Sequence, residues 1–595
     1  MYKQNVTIEA TRKAKDTNGS QAESNSQQIK KTIKKVTGSQ AVILSILEEG
    51  VDTIFGYPGG AIMPTYDALY DHAKNVKHIL TRHEQGAVHA AEGYARVTGK
   101  VGVCFATSGP GATNLITGIA NAMLDSIPLV CITGQVTSPM LGTDAFQESD
   151  IVGISIPITK WNYQITSAEE IPGAIAQAFY IAQTGRPGPV LLDLTKDAQF
   201  GEVDFSYNKC KKIRSYIPET PVDPSKINEA AAFINRAKKP MILCGHGIIF
   251  SKAEEELMIF AEKAEIPVAW TLLGLSAFPT SHPLNVGMLG MHGNYGPNIL
   301  TNEADLIIAI GMRFDDRVTG NINAYAKKAK VIHFEIDPSE INKNVKADVA
   351  VIGDAKKALL MLIPQINKNT HKNWVREFRK YDEIEHEKVF KKDLYPTKPG
   401  LTVGEVVRIS SEKTNHEAIL VTDVGQHQMI AARYFKFKHS RSCVTSGGLG
   451  TMGYGLPASI GAQLGDPDRT VVAMIGDGGF QMTIQELGTI VQNKLPVKII
   501  ILNNHFLGMV RQWQEMFFEK RYSFTELQNP DFIAIAKGYG MEGHKVEKRE
   551  DLEPGIQKMI DHKGPYILEI IVEKEDNVFP MVPAGASVSD VILEP

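Results

Sequence analysis

The chain has 595 residues, 43% hydrophobic and 22% charged, with a formal net charge of −4. That length suggests three or four domains of ordinary size, with the composition of a globular protein. The weak charge implies no nucleic-acid partner, and no apolar run approaches the roughly 20 residues that span a bilayer, so no membrane partner is expected.

In chain order, residues 1–36 come first: "TRKAKDTNGSQAESNSQQIKKTIKK" is polar and basic on balance, which predicts a disordered tail. It has no apolar signal core, and Glu9, Asp16 and Glu23 count against a transit peptide. Short apolar runs then alternate with helix-period segments, the pattern of βαβ units and parallel sheets. Two stretches interrupt it, 206–226 with three prolines and 364–399 with many charges and a closing "YPTKP". Both predict linkers. They divide the chain into blocks 37–205, 225–363 and 400–575, each able to hold its own core, with a C-terminal tail at 576–595. Cys104, Cys131 and Cys244 lie inside apolar runs, and with Cys210 and Cys443 they form no CxxC pair. They suggest small buried hydrophobes in a reducing compartment.

The first and third blocks share an order of strand, glycine turn, helix and strand. Ser108 precedes Thr133 by 25 residues and Asp477 precedes Asn503 by 26, and Pro128 and Pro496 stand just before the second strand of each unit. Any two βαβ units agree this far, so spacing alone leaves kinship and coincidence both open.

The third block carries the sharper signal. "AMIGDGGFQ" (473–481) ends an apolar run in Asp477 between glycines, and "KIIILNNHFLG" (498–508) ends another in Asn503 and Asn504. Ligands of a parallel sheet bind beyond the carboxyl ends of its strands. With a crossover helix predicted over about 481–493, Asp477 and Asn504 meet at that rim. One carboxylate and one amide oxygen are a hard, incomplete ligand set, suited to Mg²⁺ with water and phosphate oxygens. The glycines leave room for an anion near backbone N–H groups. The first block's "TSGPGATN" has no carboxylate and cannot do this.

"GDG" followed by "NN" after 24 residues resembles the diphosphate motif of thiamine-diphosphate-dependent enzymes. The resemblance extends beyond the tail through "FGYPGGAIMP" (55–64), "TRHEQGAVHAAEGYAR" (81–96), "GTDAFQE" (142–148), "GRPGPVLLDLTKD" (185–197), "MLGMHG" (288–293), "GMRFDDRVTG" (311–320), "GLGTMGYGLPASIGA" (448–462) and "GMVRQWQ" (508–514). Together these fragments are most similar to the catalytic subunits of the acetolactate synthase (acetohydroxyacid synthase) family. The implied fold is α/β, with three parallel-sheet domains: two related thiamine-diphosphate-binding domains flanking an FAD-binding domain. The implied reaction decarboxylates pyruvate and ligates the two-carbon unit to a second pyruvate or to 2-oxobutyrate.

Carried over residue by residue, the resemblance implies Mg²⁺ at Asp477, Asn504 and the Phe506 carbonyl. Val424, Gly425, Gln426 and His427 would contact the diphosphate arm, with Gly478, Gly479, Leu507, Gly508 and Met509 around it. The Gly450 carbonyl and Met452 would shape the bent cofactor, although a lone methionine by itself reads as core. Glu84 would share a proton with the pyrimidine ring, although by itself it reads as an acid in the first turn of a helix over 82–96. Trp513 and Met509 would line the acceptor pocket, and Phe146, Gln147 and Lys196 the substrate channel. Arg317 would pair with the acceptor carboxylate or, on the plainer reading of "RFDDR", make a surface ion pair.

For FAD the implied contacts are Gly245, Gly247, Thr271 and Leu272 on the first strand ends, then Gly290, Met291 and His292. Gly311, Arg313, Asp315 and Arg317 follow, and then Glu335, Ile336, Asp337, Asp354 and Ala355. No GxGxxG is present, and the reaction has no net redox step, which makes FAD structural. The family also implies a homodimer or dimer of dimers, with Glu84 and the Mg²⁺ half-site supplied by different chains, the tail 576–595 over the active site, and a separate small regulatory subunit. A bacterial cytoplasmic location follows, or a plastid or mitochondrion if the tail is a transit peptide. Thr137 and Val588 depart from the family's usual Pro and aromatic near its inhibitor channel.

Overall fold

The computed structural model describes residues 34–594. Three six-stranded parallel sheets organise them. The first orders its strands Lys77–Leu80, Thr53–Gly56, Gly102–Ala106, Leu129–Gln135, Pro189–Thr195 and Trp161–Ile165. The last orders Cys443–Val444, Ile419–Thr422, Val471–Gly476, Lys498–Asn503, Tyr566–Ile571 and Glu542–Val546. Counted along the chain, both run second, first, third, fourth, sixth, fifth. The central strands are buried on both faces by helices, which is why Leu129–Gln135 and Lys498–Asn503 are buried at every residue.

The middle sheet orders Asn285–Met288, Val268–Trp270, Pro240–Cys244, Leu306–Ile310, Lys330–Glu335 and Val349–Ile352. That is third, second, first, fourth, fifth, sixth, the order of dinucleotide-binding sheets, with its crevice where the order reverses.

The first and last sheets are mated by helices Glu84–Thr98 and Gly455–Gly465. A Cβ at Gly461 would overlap the Ala90 carbonyl, and one at Gly93 the Ala458 carbonyl, so glycine allows the backbones to touch. One apolar core, from Phe55 through Tyr454 to Ile567, runs through both sheets.

Three boundaries differ from the sequence expectation. Residues 1–33 of the expected disordered tail lie outside the described residues, but Lys34–Thr37 form a strand paired antiparallel with Glu202–Phe205. The expected linker 364–399 holds helix Lys372–Glu385, a π turn at His386–Phe390 and helix Lys391–Leu394. Trp374 and Phe378 bury against the middle sheet, each worth about 2–3 kcal/mol, and Glu385 is buried as well, paired with Arg433. The single crossover helix expected over 481–493 is three short pieces, Asp477–Met482, Ile484–Glu486 and Leu487–Gln492.

The tail behaves as a strap. Met581 and Ile592 exchange backbone hydrogen bonds at 2.9 and 2.8 Å, and Val582 N–H donates to the Met291 carbonyl at 2.8 Å.

Candidate active site

In the last sheet the strand order reverses between Ile419–Thr422 and Val471–Gly476, and the residues after those strands are Asp423–Gln426 and Asp477–Gly479. Val424, Gly425, Gln426 and Asp477–Gly479, with His427, Met452, Asn504, Phe506, Leu507, Gly508 and Met509, line a cavity of about 60 Å³. Asp477 and Asn504 are 1% and 9% exposed. Burial pushes the Asp477 carboxyl up to about 6, as expected where a compensating cation is called for. Asn504 is turned by its own loop, its Oδ1 accepting the Phe506 N–H at 3.0 Å. The Phe506 carbonyl accepts no hydrogen bond from any described residue. A carboxylate, an amide oxygen and an unpartnered carbonyl on one small cavity fit a hard divalent cation.

The glycines here have a packing reason beyond an open turn. A Cβ at Gly478 would lie 2.7 Å from Leu507 Cδ2, and one at Gly479 would overlap Asp423 Oδ1. Asp423 itself is a site residue that sequence reasoning missed. Fully buried, it accepts the N–H groups of Val424 at 2.8 Å, Gly453 at 3.1 Å and Gly455 at 2.8 Å. It thereby fixes the turn of Val424–Gln426 against the turn carrying Met452. An acid straight after the apolar run "AILVT" was the available signal.

Gln426 is not free to meet an anion with its amide. Its Nε2 donates to Gln512 Oε1 at 2.9 Å and to the Asp576 carbonyl at 2.8 Å. Arg511, wholly buried, donates to the Asp576 carbonyl at 2.9 Å and to Asn577 Oδ1 at 2.6 Å. Arg511 and Gln512 of "GMVRQWQ" anchor the tail beside the cavity, Gln512 Oε1 accepting the Val578 N–H at 2.9 Å. His427 is held neutral, its pKa lowered by burial to about 4, with Nε2 accepting the Gly476 N–H at 3.3 Å.

A second cavity of about 1140 Å³ adjoins the first, and Val424, Gly425, Met452 and Met509 line both. From the last domain, Gly450 lines it from a loop and Trp513 from helix Gly508–Phe517. From the middle sheet come Gly247, Thr271, Leu272, Gly290, Met291, His292, Gly311, Arg313, Asp315, Arg317, Glu335, Ile336, Asp354 and Ala355, fourteen of the sixteen residues expected there. The other two are placed differently. A Cβ at Gly245 would overlap the Gly311 carbonyl, so Gly245 serves strand contact at the crevice. Asp337 is drawn to Arg186 of the first domain at 3.4 Å and accepts the Ser339 hydroxyl at 2.7 Å. The middle sheet's strand order, a crevice floored by Gly247 and Gly311, and Glu335 buried at the cavity wall fit a dinucleotide. Burial raises Glu335 to about 7 despite the N–H groups of Ile336 and Asp337 on its Oε1. Arg317 reaches Asp316 at 3.8 Å and its side chain is 60% exposed, consistent with a guanidinium available to a ligand or to solvent.

Glu84, Phe146, Gln147 and Lys196 line neither cavity. They lie at the carboxyl rim of the first sheet. Glu84 opens its helix, is 8% exposed, and accepts Asn114 Nδ2 on Oε2 at 2.9 Å. Asn114 ends the turn "SGPGATN", whose Gly111 lies close enough that a Cβ would sit 3.1 Å from Glu84 Oε1. The last domain braces this helix from behind. Glu486, buried, accepts the Arg82 N–H on both oxygens at 3.0 and 3.2 Å. Phe146 is 88% exposed on the loop after Leu129–Gln135, beside Gln147, and Lys196 follows Pro189–Thr195. Thr137 and Val588 also line neither cavity; Val588 packs into the middle core. Among the described residues no helix is long and apolar enough to cross a membrane.

Three family descriptions match in the order of the three sheets. Residues 36–154 match the N-terminal TPP binding domain of thiamine pyrophosphate enzymes, 227–362 their central domain, and 423–570 their C-terminal TPP binding domain. The chain is 47% identical over 570 residues to the acetolactate synthase large subunit of Corynebacterium glutamicum, covering 94% of this chain and 90% of that one. It is 44% identical to the acetolactate synthase isozyme 2 large subunit of Escherichia coli, covering 94% and 99%. It is 45% identical to the large subunit from Lactococcus lactis, covering 94% and 96%. Three matching domains and 44% to 47% identity over 94% of the chain place it in the acetolactate synthase large-subunit family of thiamine-diphosphate-dependent enzymes.

Proposed function

We propose that the chain is the catalytic subunit of an acetolactate synthase, joining pyruvate-derived two-carbon units to pyruvate or 2-oxobutyrate at the first common step of branched-chain amino-acid synthesis. The carrying observation is the small cavity that Asp477, Asn504 and Phe506 line together with Met452. Those three groups would hold Mg²⁺, and Gly425, His427 and Gly478 would flank a diphosphate. Bound thiamine diphosphate supplies the electron sink for decarboxylating a 2-oxo acid. Glu84 would hold a proton at its carboxyl for the pyrimidine ring of that cofactor, with Asn114 keeping the carboxyl oriented. Trp513 and Met509 line the wall where an acceptor would sit, and Arg317 offers a guanidinium to its carboxylate. FAD would occupy the larger cavity along the middle sheet.

The chain acts as at least a dimer on this reading, because Glu84 and the cation half-site do not share a cavity within one chain. Exposed apolar side chains on both rims, Phe146 at 88% and Met482 at 57%, suit burial against a second copy. The relatives' designation as large subunits supports a small regulatory partner, and their bacterial sources a cytoplasmic setting.

The test is the purified chain with Mg²⁺, thiamine diphosphate and FAD, given pyruvate alone. Yellow protein that forms acetolactate, detected as acetoin after acid treatment, is expected. Release of acetaldehyde without acetolactate overturns the assignment.

A further inference from the structure

Asp477 is held from outside the cavity. Asn529 donates from Nδ2 to Asp477 Oδ2 at 2.7 Å and to Asn503 Oδ1 at 2.9 Å, and its Oδ1 accepts Gln481 Nε2 at 2.9 Å. Gln481 also reaches the Asp477 carbonyl at 3.1 Å. Asn503 donates in turn to Glu569 Oε1 at 2.8 Å and accepts the His505 N–H at 3.1 Å. Asn503 and Glu569 are each 1% exposed. This chain of partners fixes the Asn529 amide in one orientation, since a flip would set its oxygen against two acceptors.

Asn529 lies in the segment between helices Gly508–Phe517 and Phe532–Gly538. The same segment is laced to the other cation ligands. Leu507 N–H donates to the Thr525 carbonyl and Leu527 N–H to the His505 carbonyl, both at 2.8 Å, on either side of Phe506. One stretch, 525–529, therefore supports Asp477 through a side chain and Phe506 through the backbone.

We propose that Asn529 is a positioning residue for the divalent cation: it holds Asp477 by Oδ2 and leaves Oδ1, which no side chain among the described residues bonds, to the metal. The inference rests on the reading that Asp477 is a metal ligand. A carboxylate free to turn about its terminal torsion binds less well than one held, and loss of such a support weakens metal binding by about 10–100-fold.

The test measures the Mg²⁺ concentration at half-saturation for thiamine diphosphate binding, followed by tryptophan fluorescence, together with the metal-free thermal midpoint. Asn529→Ala is expected to raise the Mg²⁺ midpoint by about 10–100-fold while the metal-free thermal midpoint stays near the parent's. Asn529→Leu, which fills the same space without a donor, carries the test if the alanine variant does not fold. A parent-like Mg²⁺ midpoint in a folded variant overturns the inference, as does a lowered thermal midpoint with no change in metal demand. Asp477→Ala runs alongside: if it also leaves the Mg²⁺ midpoint unchanged, the metal-ligand reading itself fails.

Discussion

The rims of the first and last sheets are built alike and carry different side chains. Both sheets thread their six strands in the same order, and both place a buried carboxylate on the sixth strand against the fourth: Asp193 accepts Thr133 Oγ1 at 2.6 Å, and Glu569 accepts Asn503 Nδ2 at 2.8 Å. The shared topology favours kinship over the coincidence that spacing alone left open. The difference lies in the turn after the third strand. Ser108 and its neighbours offer no acid there, and the first rim instead presents Glu84 from another strand's helix. On the proposed reading, Asp477 gives the last rim a cation site. A duplicated scaffold can thus hold opposite ends of one cofactor, because rim loops change without disturbing the buried strands.

Several experiments break or sharpen that contrast. Glu84→Gln removes the acid of the first rim and keeps its shape, so turnover should fall about 10²–10⁴-fold while cofactor still binds. Near-parent turnover would place the proton work elsewhere. Asp477→Ala strikes the last rim instead, and cofactor retention should weaken about 100-fold, the ~3 kcal/mol of a charged contact. Equal retention with and without chelator would break the division of labour.

Mixing the two inactive variants asks whether the rims meet across chains. Refolding Glu84→Gln and Asp477→Ala together at equal amounts should restore about a quarter of parent activity, because half the dimers are mixed and each has one intact site. No recovery would mean that one chain supplies both rims. A last test concerns the buried carboxyl of the first sheet's sixth strand. Burial raises Asp193 to about 6, so the folded chain keeps a proton that the unfolded chain has lost. Parental stability should therefore decline relative to Asp193→Asn as pH rises from about 4 to about 6, by up to ~3 kcal/mol, read from urea midpoints. A difference that does not vary with pH would remove Asp193 from this account.

That Asp477 and Asn504 meet on one cavity was legible because they stand directly after apolar strands, where sequence order and spatial position coincide. Asn529 and Asp423 were harder to read. Asn529 contributes from an irregular segment 52 residues beyond Asp477, and no periodicity announces it. Asp423 stood beside a motif but looked like ordinary strand punctuation. The helix Lys372–Glu385 was missed because charge dominates its composition, while two aromatics one turn apart decide its packing.

By itself the sequence determined the α/β pattern, three sheet-bearing blocks and the carboxylate–amide pair at the last rim, since strand hydrophobicity and turn chemistry are local properties. Only the tertiary structure decided that the outer sheets share one threading, that Glu84 stays off the cavity that Asp477 lines, and that a distant asparagine bonds the Asp477 carboxylate. Those facts depend on which strands become neighbours, and neighbours in space are chosen by burial of whole faces rather than by residues adjacent in the chain.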